Sequence, residues 1–180
     1  MVTAPPTIPE LKVTNMVLQT SLNVNLPLRR LANQLVNVKY NPSRWPGLIW
    51  KHHKIVGTVM LFPNGTLLSH GAKTFAQART SIRQFARLLQ RKGYRVTLSP
   101  IKTLTITCLV DLKQPVDLQS LSQDYPNAVW EPELFNACMV KAHGIHFSVF
   151  STGRIVIAGL KSLSLINTLV NPTLMELMLF

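Results

Sequence analysis

Apolar and polar positions follow the same programme twice along this chain. Leu11–Leu22 alternates loosely and is rich in Val, Thr and Leu, which predicts a strand. Leu26–Val36 has helical spacing, with Pro27 in a first turn where a missing N–H does no harm. Asn41-Pro42 marks a turn. Strand-like runs follow at Gly47–Trp50, Ile55–Phe62 and Thr66–Ser69, the last two separated by the hairpin signal Pro63-Asn64-Gly65. Phe75–Lys92 is the most regular amphipathic stretch and gathers Ile82, Phe85, Leu88 and Leu89 on one helical face. The order then restarts. Thr103–Leu112 predicts a strand and Asp117–Gln123 a short helix, followed by strands at Ala137–Lys141, Ile145–Phe150 and Arg154–Ala158. A closing helix is expected from Ser162 or Ser164, disturbed or divided by Pro172. Antiparallel strands with helices beside them predict an α+β architecture, one sheet face covered by helices and the other left for solvent or ligand.

The recurrence extends to individual residues. Residues 40–73 and 130–161 both begin aromatic-x-Pro, with a large aromatic three positions later (Trp45, Phe135) and a Lys six positions beyond it (Lys51, Lys141). Each continues through an apolar strand ending in Phe (Phe62, Phe150), a turn glycine (Gly65, Gly153), a second strand and Gly-x-Lys (Lys73, Lys161). A repeat at about ninety residues, in a chain of 180, implies two pseudo-symmetric units. The expected division is a flexible leader 1–10, a first repeat 11–94 and a second repeat 95–180.

Charge narrows the partner. Nineteen Lys and Arg against seven Asp and Glu give a net charge of +12, which points to a polyanion, most simply nucleic acid. Two cysteines, Cys108 and Cys138, make no disulfide framework and suit a reducing compartment. The Pro-rich leader lacks the charged-then-apolar order of a signal peptide. Lys161, Asn167, Asn171 and Pro172 interrupt the apolar C-terminus, so no membrane span is expected.

Five motifs in register then carry a resemblance. They are Tyr-Asn-Pro-x-Arg at 40–44, Phe-x-x-Gly at 62–65 and 150–153, Gly-Ala-Lys at 71–73, Arg-Leu-Leu-Gln-Arg-Lys-Gly-Tyr at 87–94 and Glu-Pro-Glu-Leu-Phe at 131–135. Together with the duplication, they resemble the core of the TATA-box-binding proteins over nearly the whole chain, as a diverged relative or related factor. The resemblance implies a saddle whose two repeats form one curved antiparallel sheet, concave on the DNA minor groove, with helices on the convex face. It implies that Trp45, Phe62, Phe135 and Phe150 wedge between base steps. It places Asn15, Val17, Met60, Leu68 and His70 of the first repeat against the groove, and Thr105, Thr107, Ser148, Val156 and Ala158 of the second. Arg44, Lys51, Lys73, Lys141, Arg154 and Lys161 fall at or beside phosphate-contacting positions; such contacts hold the protein without reading sequence.

The second repeat departs most from the family pattern. Thr105 and Thr107 stand where the family has Asn and Val, Ser148 replaces a Leu and Ala158 a Thr; in the first repeat His70 replaces a Thr. The two halves should therefore differ in the sequences they accept. For partners, the resemblance implies a transcription factor IIB-like protein at Glu131, Glu133 and Leu134. It also implies a factor-IIA-like partner, or flanking DNA, at the stripe Arg79, Arg83, Arg87 and Arg91; a solvated face is the alternative for that stripe.

Catalysis finds little support. His52-His53 and His143-x-x-His146 lack a Cys or carboxylate set at zinc spacing, so neither metal nor cofactor is expected. No nucleophile elbow or Gly-rich phosphate loop is present. The expectation is a non-enzymatic transcription initiation factor, monomeric on double-stranded DNA, in the nucleus or, for a viral relative, an intracellular transcription compartment. Two rivals remain: a paralogue that holds general transcription factors while binding DNA weakly, and a substrate-binding module of a nucleic-acid enzyme.

Overall fold

A computed structural model describes residues 9–180, so the leader is seen only from Pro9 onward. The chain forms two compact units, one spanning Thr14–Leu104 and the other Thr105–Phe180 with the segment that ends at Val13.

In the first unit, β1 (Lys12–Ser21) is followed by α1 (Leu28–Gln34), β2 (Val38–Lys39), β3 (Leu48–Trp50), β4 (Thr58–Leu61), β5 (Thr66–Ala72) and α2 (Phe75–Arg91). Its strands lie in the order β2-β3-β4-β5-β1 and every pairing is antiparallel. Alternate side chains enter the core: Leu18, Leu48, Val59, Leu61 and Leu67 are fully buried beneath Ile82, Phe85 and Leu89 of α2. Each such side chain contributes about 1.5–3 kcal/mol by leaving water. Thr74 caps α2, its side chain accepting from the Gln77 N–H at 3.2 Å, while Gly93 closes it in a left-handed conformation at φ 86°.

The second unit repeats the plan with β6 (Lys102–Asp111), α3 (Leu118–Asp124), β7 (Ala128–Val129), β8 (Ala137–Ala142), β9 (Ile145–Phe150) and β10 (Arg154–Leu160). The strand order is β6-β10-β9-β8-β7, again antiparallel throughout. Ile106, Cys108, Val110, Val140, Phe147, Val149, Ile155 and Ile157 form its core face. Asp117 caps α3 by accepting from the Gln119 and Ser120 N–H groups; its hydrogen bonds, that with the Ser120 hydroxyl foremost, hold the carboxyl below its ordinary value.

Several boundaries differ from the sequence expectation for physical reasons. The first short helix starts only at Leu28, because Pro27 sits at ψ 86°, outside helical space. Ile55–Gly57 is a turn and not the start of a strand: Gly57, at φ 79°, passes so close to the His70 carbonyl that no Cβ would fit. β5 and β10 run past Ser69 and Ala158 because bulges opposite Met16/Leu18 and at Ala158/Leu160 let pairing resume. The edge strands β2 and β7 are too short to carry a sequence period.

The closing helix shows the largest departure. It consists of a π-helical turn, Ile166–Val170, continuing into α4 (Asn171–Leu177). Pro172 has no N–H to donate back into the preceding turn, and the widened ring lets the Asn171 N–H reach the Ile166 carbonyl instead. Among the described residues, no helix is long and apolar enough to cross a membrane.

Candidate nucleic-acid interface

In each unit the strand face away from the core carries its side chains in cross-strand rows. In the first unit the pairings line up Lys39, Ile49, Met60, Leu68 and Gln19 across five strands. Thr58 pairs with His70 in the next row, and Val17 lies beside them at the β1 bulge, only 8% exposed. In the second unit Val129, Met139, Ser148, Val156 and Leu109 occupy the row matching the first, and Lys141, His146, Ala158 and Thr107 the next. The face is thus a ladder of mostly uncharged side chains, with Lys51, Lys73, Lys141, Arg154 and Lys161 exposed at strand ends and turns.

The four aromatics assemble pairwise within each unit. Trp45 meets Phe62 with ring centroids 6.0 Å apart at 62°, and Phe135 meets Phe150 at 6.0 Å and 68°. Both pairs are edge-to-face, the geometry that aromatic quadrupoles favour. The loop ring is 45% exposed in the first pair and 47% in the second, although such rings would ordinarily be buried. One local device positions both. The Asn41 carbonyl accepts from the Arg44 and Trp45 N–H groups, and the Glu131 carbonyl accepts from those of Leu134 and Phe135. The following Pro (Pro42, Pro132) sits in that turn, so the aromatic is thrown toward the end of the hairpin that carries its partner.

Asn15 is oriented by a backbone contact. Its Oδ1 accepts from the Gly71 N–H at 2.7 Å, which leaves the amide NH₂ as the group free to donate. Thr105, at the equivalent position, offers only a hydroxyl. Ser148 turns its hydroxyl to the Met139 sulfur at 3.4 Å. Asp111 sits opposite Arg154, and its carboxyl is held below its ordinary value chiefly by its hydrogen bond to the Lys113 ammonium at 3.0 Å.

Away from the sheet faces, Glu131, Glu133 and Leu134 are all exposed, Leu134 at 80%, and neither glutamate is ion-paired among the described residues. The α2 arginines divide between two hollows. Arg79 and Arg83 border one with Phe75 and Leu98; Arg87 and Arg91 border another, of about 420 Å³, with Trp50, His52 and Lys54. His52 stacks on Trp50 at 5.4 Å, and burial, reinforced by the charges of His53 and Lys54, lowers its pKa. No group of three or more His, Cys, Asp or Glu side chains among the described residues could hold a metal.

Within each unit, the two rows of the open strand face lie beside an aromatic pair whose loop ring is half-exposed, an arrangement suited to flat apolar and hydrogen-bonding groups. The sequence matches the family described as "Transcription factor TFIID (or TATA-binding protein, TBP)" over residues 10–92 and again over 101–179. The chain belongs to the TATA-binding protein family.

Relatives agree across wide distances. The chain is 30% identical over 159 residues to the TATA-box-binding protein of Tetrahymena thermophila, covering 87% of this chain and 65% of that one. It is 32% identical over 157 residues to the TBP-related factor of Drosophila melanogaster, covering 85% and 70% respectively. Against the TATA-box-binding protein of Pyrobaculum islandicum the identity is 30% over 157 residues, covering 86% and 79%. The chain therefore spans just under two thirds of the Tetrahymena relative's length. Among solved structures, Methanococcus jannaschii TBP matches with a TM-score of 0.80 at 24% identity, covering 93% of this chain and 97% of that one. The expected TATA-binding-protein fold of two α+β repeats is thereby shown, and the family is one of DNA-binding transcription factors, not enzymes.

Some face residues are not singled out by the sequence pattern. Gln19, Lys39 and Ile49, and in the second repeat Leu109, Val129, Met139 and His146, share the rows of the residues named above. Strict alternation carried from Met60 and Leu68 onto the neighbouring strands is the available signal, but the two-residue edge strands hide the register.

Proposed function

We propose that this protein is a transcription initiation factor that binds A·T-rich promoter DNA through the minor groove, wedges aromatic pairs at the ends of the site and bends the duplex. The observation that carries the reading is the matched pair of half-exposed, edge-to-face aromatics beside a mostly uncharged strand face in both repeats. An apolar ring inserted at a base step replaces a stacking partner, and the bent duplex then meets more protein surface. Asn15 fits the same reading: A·T pairs present only acceptors in the minor groove, and its anchored amide offers a donor. Met60 and Leu68, with Val156 in the second repeat, supply apolar contact, while Arg44, Lys51, Lys73, Lys141, Arg154 and Lys161 reach phosphates.

The test is binding and bending of A·T-rich and G·C-rich duplexes across salt concentrations, with wild type and the Phe135→Ala/Phe150→Ala double variant. Loss of both rings is expected to weaken A·T-rich binding by roughly a hundredfold, taking ring–base stacking at about 1–3 kcal/mol per base. Each engaged Lys or Arg should contribute about 0.9 to the slope of log K against log salt. A wild type that neither bends nor prefers any duplex, and that the double variant merely copies, removes the wedge reading.

We further infer that Glu131, Glu133 and Leu134 receive a basic factor-IIB-like partner, and that the α2 arginines receive an acidic, factor-IIA-like one. The exposed, unpaired carboxylates beside an exposed Leu support the first inference. Glu131→Arg with Glu133→Arg should abolish factor-IIB-like recruitment and leave duplex affinity intact; an unchanged pull-down refutes it. We infer that the protein acts as a monomer on DNA in the nucleus. The rival of a factor-holding paralogue with weakened DNA binding draws on Thr105, Thr107, Ser148 and Ala158, and the same duplex titration separates the two.

A further inference from the structure

We propose that Gly47 is a positioning residue that admits Trp45 to the first-repeat wedge, so that the two ends of the DNA site meet wedges of different size and are not interchangeable. This rests on the wedge reading above and deepens it. The chain has eight glycines, and seven adopt positive φ, where a side chain is strained. Gly47 is the exception, so its backbone does not demand glycine. Its surroundings do. A Cβ at position 47 would stand 2.8 Å from Trp45 Nε1, 3.4 Å from Trp45 Cδ1 and 3.3 Å from Phe62 Cε1. Both rings of the pair press on the space that the absent methyl leaves.

The second repeat supplies an internal control. Ala137 occupies the register of Gly47, directly opposite Phe150, and there the loop ring is the smaller Phe135. Trp with Gly and Phe with Ala produce the same centroid separation of 6.0 Å and closely similar angles of 62° and 68°. The methyl omitted at position 47 thus offsets the larger indole, and the wedge geometry is conserved while its area is not. An indole covers more of a base than a phenyl ring does. Pyrimidine–purine steps unstack most readily, so the larger wedge should favour the end of the site that carries such a step.

The experiment compares wild type, Gly47→Ala, Trp45→Phe and the double variant on an A·T-rich duplex with a pyrimidine–purine step at one end only. Affinity is measured by titration and orientation by energy transfer from a dye on one DNA end. Gly47→Ala should weaken binding about tenfold, because overpacking displaces the indole. It should also make Trp45 more accessible to acrylamide in the DNA-free protein. Once Trp45→Phe has removed that indole, adding Gly47→Ala should leave the remaining tryptophan quenching unchanged. Trp45→Phe should abolish the orientational bias. In the double variant the penalty of Ala should vanish, leaving affinity at the Trp45→Phe level.

The mirror test is independent of how well Gly47→Ala folds: Phe135→Trp should weaken binding, and Phe135→Trp with Ala137→Gly should restore it. Additive losses in the first cycle, a bias that survives Trp45→Phe, or Phe135→Trp tolerated beside Ala137 each overturn the proposal while the wedge reading stands. A wild type that binds no duplex removes the wedge reading itself, and the proposal with it.

Discussion

The two repeats share a sheet plan but not a cover. The first is covered by the 17-residue α2, capped at both ends and lined outwardly by Arg79, Arg83, Arg87 and Arg91. The second is covered by a π-helical turn and the seven-residue α4, a stretch without a basic residue that exposes Met175 and, just beyond it, Leu179. Cores are constrained by volume on every side, so the strands of both repeats retain the same inward alternation. Outward faces answer only to solvent and partners, and there the repeats have separated. One cover is a cationic surface; the other is held by a few specific polar ties.

The comparison breaks most severely at the core, where the two units should behave alike. Phe85→Ala in the first and Phe147→Ala in the second each remove a fully buried ring, and each should cost about 3–5 kcal/mol in urea unfolding. A markedly smaller loss at one site would mean that the two cores are not equivalent. A smaller effect follows from the caps. Thr74→Ala removes the acceptor for the Gln77 N–H and should cost about 1 kcal/mol. Ser164→Ala has no such capping bond to lose in the second cover and should be close to neutral; equal losses at the two sites would erase the contrast.

Alkaline titration should produce the most selective effect. The Tyr125 hydroxyl donates to Glu176 Oε2 at 2.7 Å, tying α3 to α4. Burial first, and then the Glu176 carboxylate, push its pKa from 10.0 up to about 12. A group raised in the folded state stabilises it fully below its unfolded value and loses that contribution as pH rises through the folded one. The tie should therefore persist to pH 10 and fail towards pH 12, loosening the second cover while α2 keeps its amide protection. Hydrogen exchange across that range checks it, and Tyr125→Phe should remove the step; a step of unchanged size would show that another group causes it.

Much of this architecture is legible in the residues alone. The bounds of β9 match the sequence expectation, because Ile145–Phe150 alternates cleanly and is flanked by turn residues. The wedge aromatics stand out in the duplicated motif. Their approach to 6.0 Å is not legible, since it depends on a loop turn bringing Trp45 back over a ring seventeen positions later. Nor is the role of Asn15's oxygen, which is set by a bulge opposite Met16 and Leu18. The π-helical turn is hidden because Pro172 reads equally as a break or as the start of a new helix.

The duplication, the α+β order and the charge follow from periodicity and composition that each segment carries alone. Tertiary structure decided which residues share a row, which ring meets which, and why position 47 holds glycine. Those depend on strand register and on space left between segments distant in the chain, and neither is a property of any one segment. The absent methyl at Gly47 has meaning only beside Trp45 and Phe62.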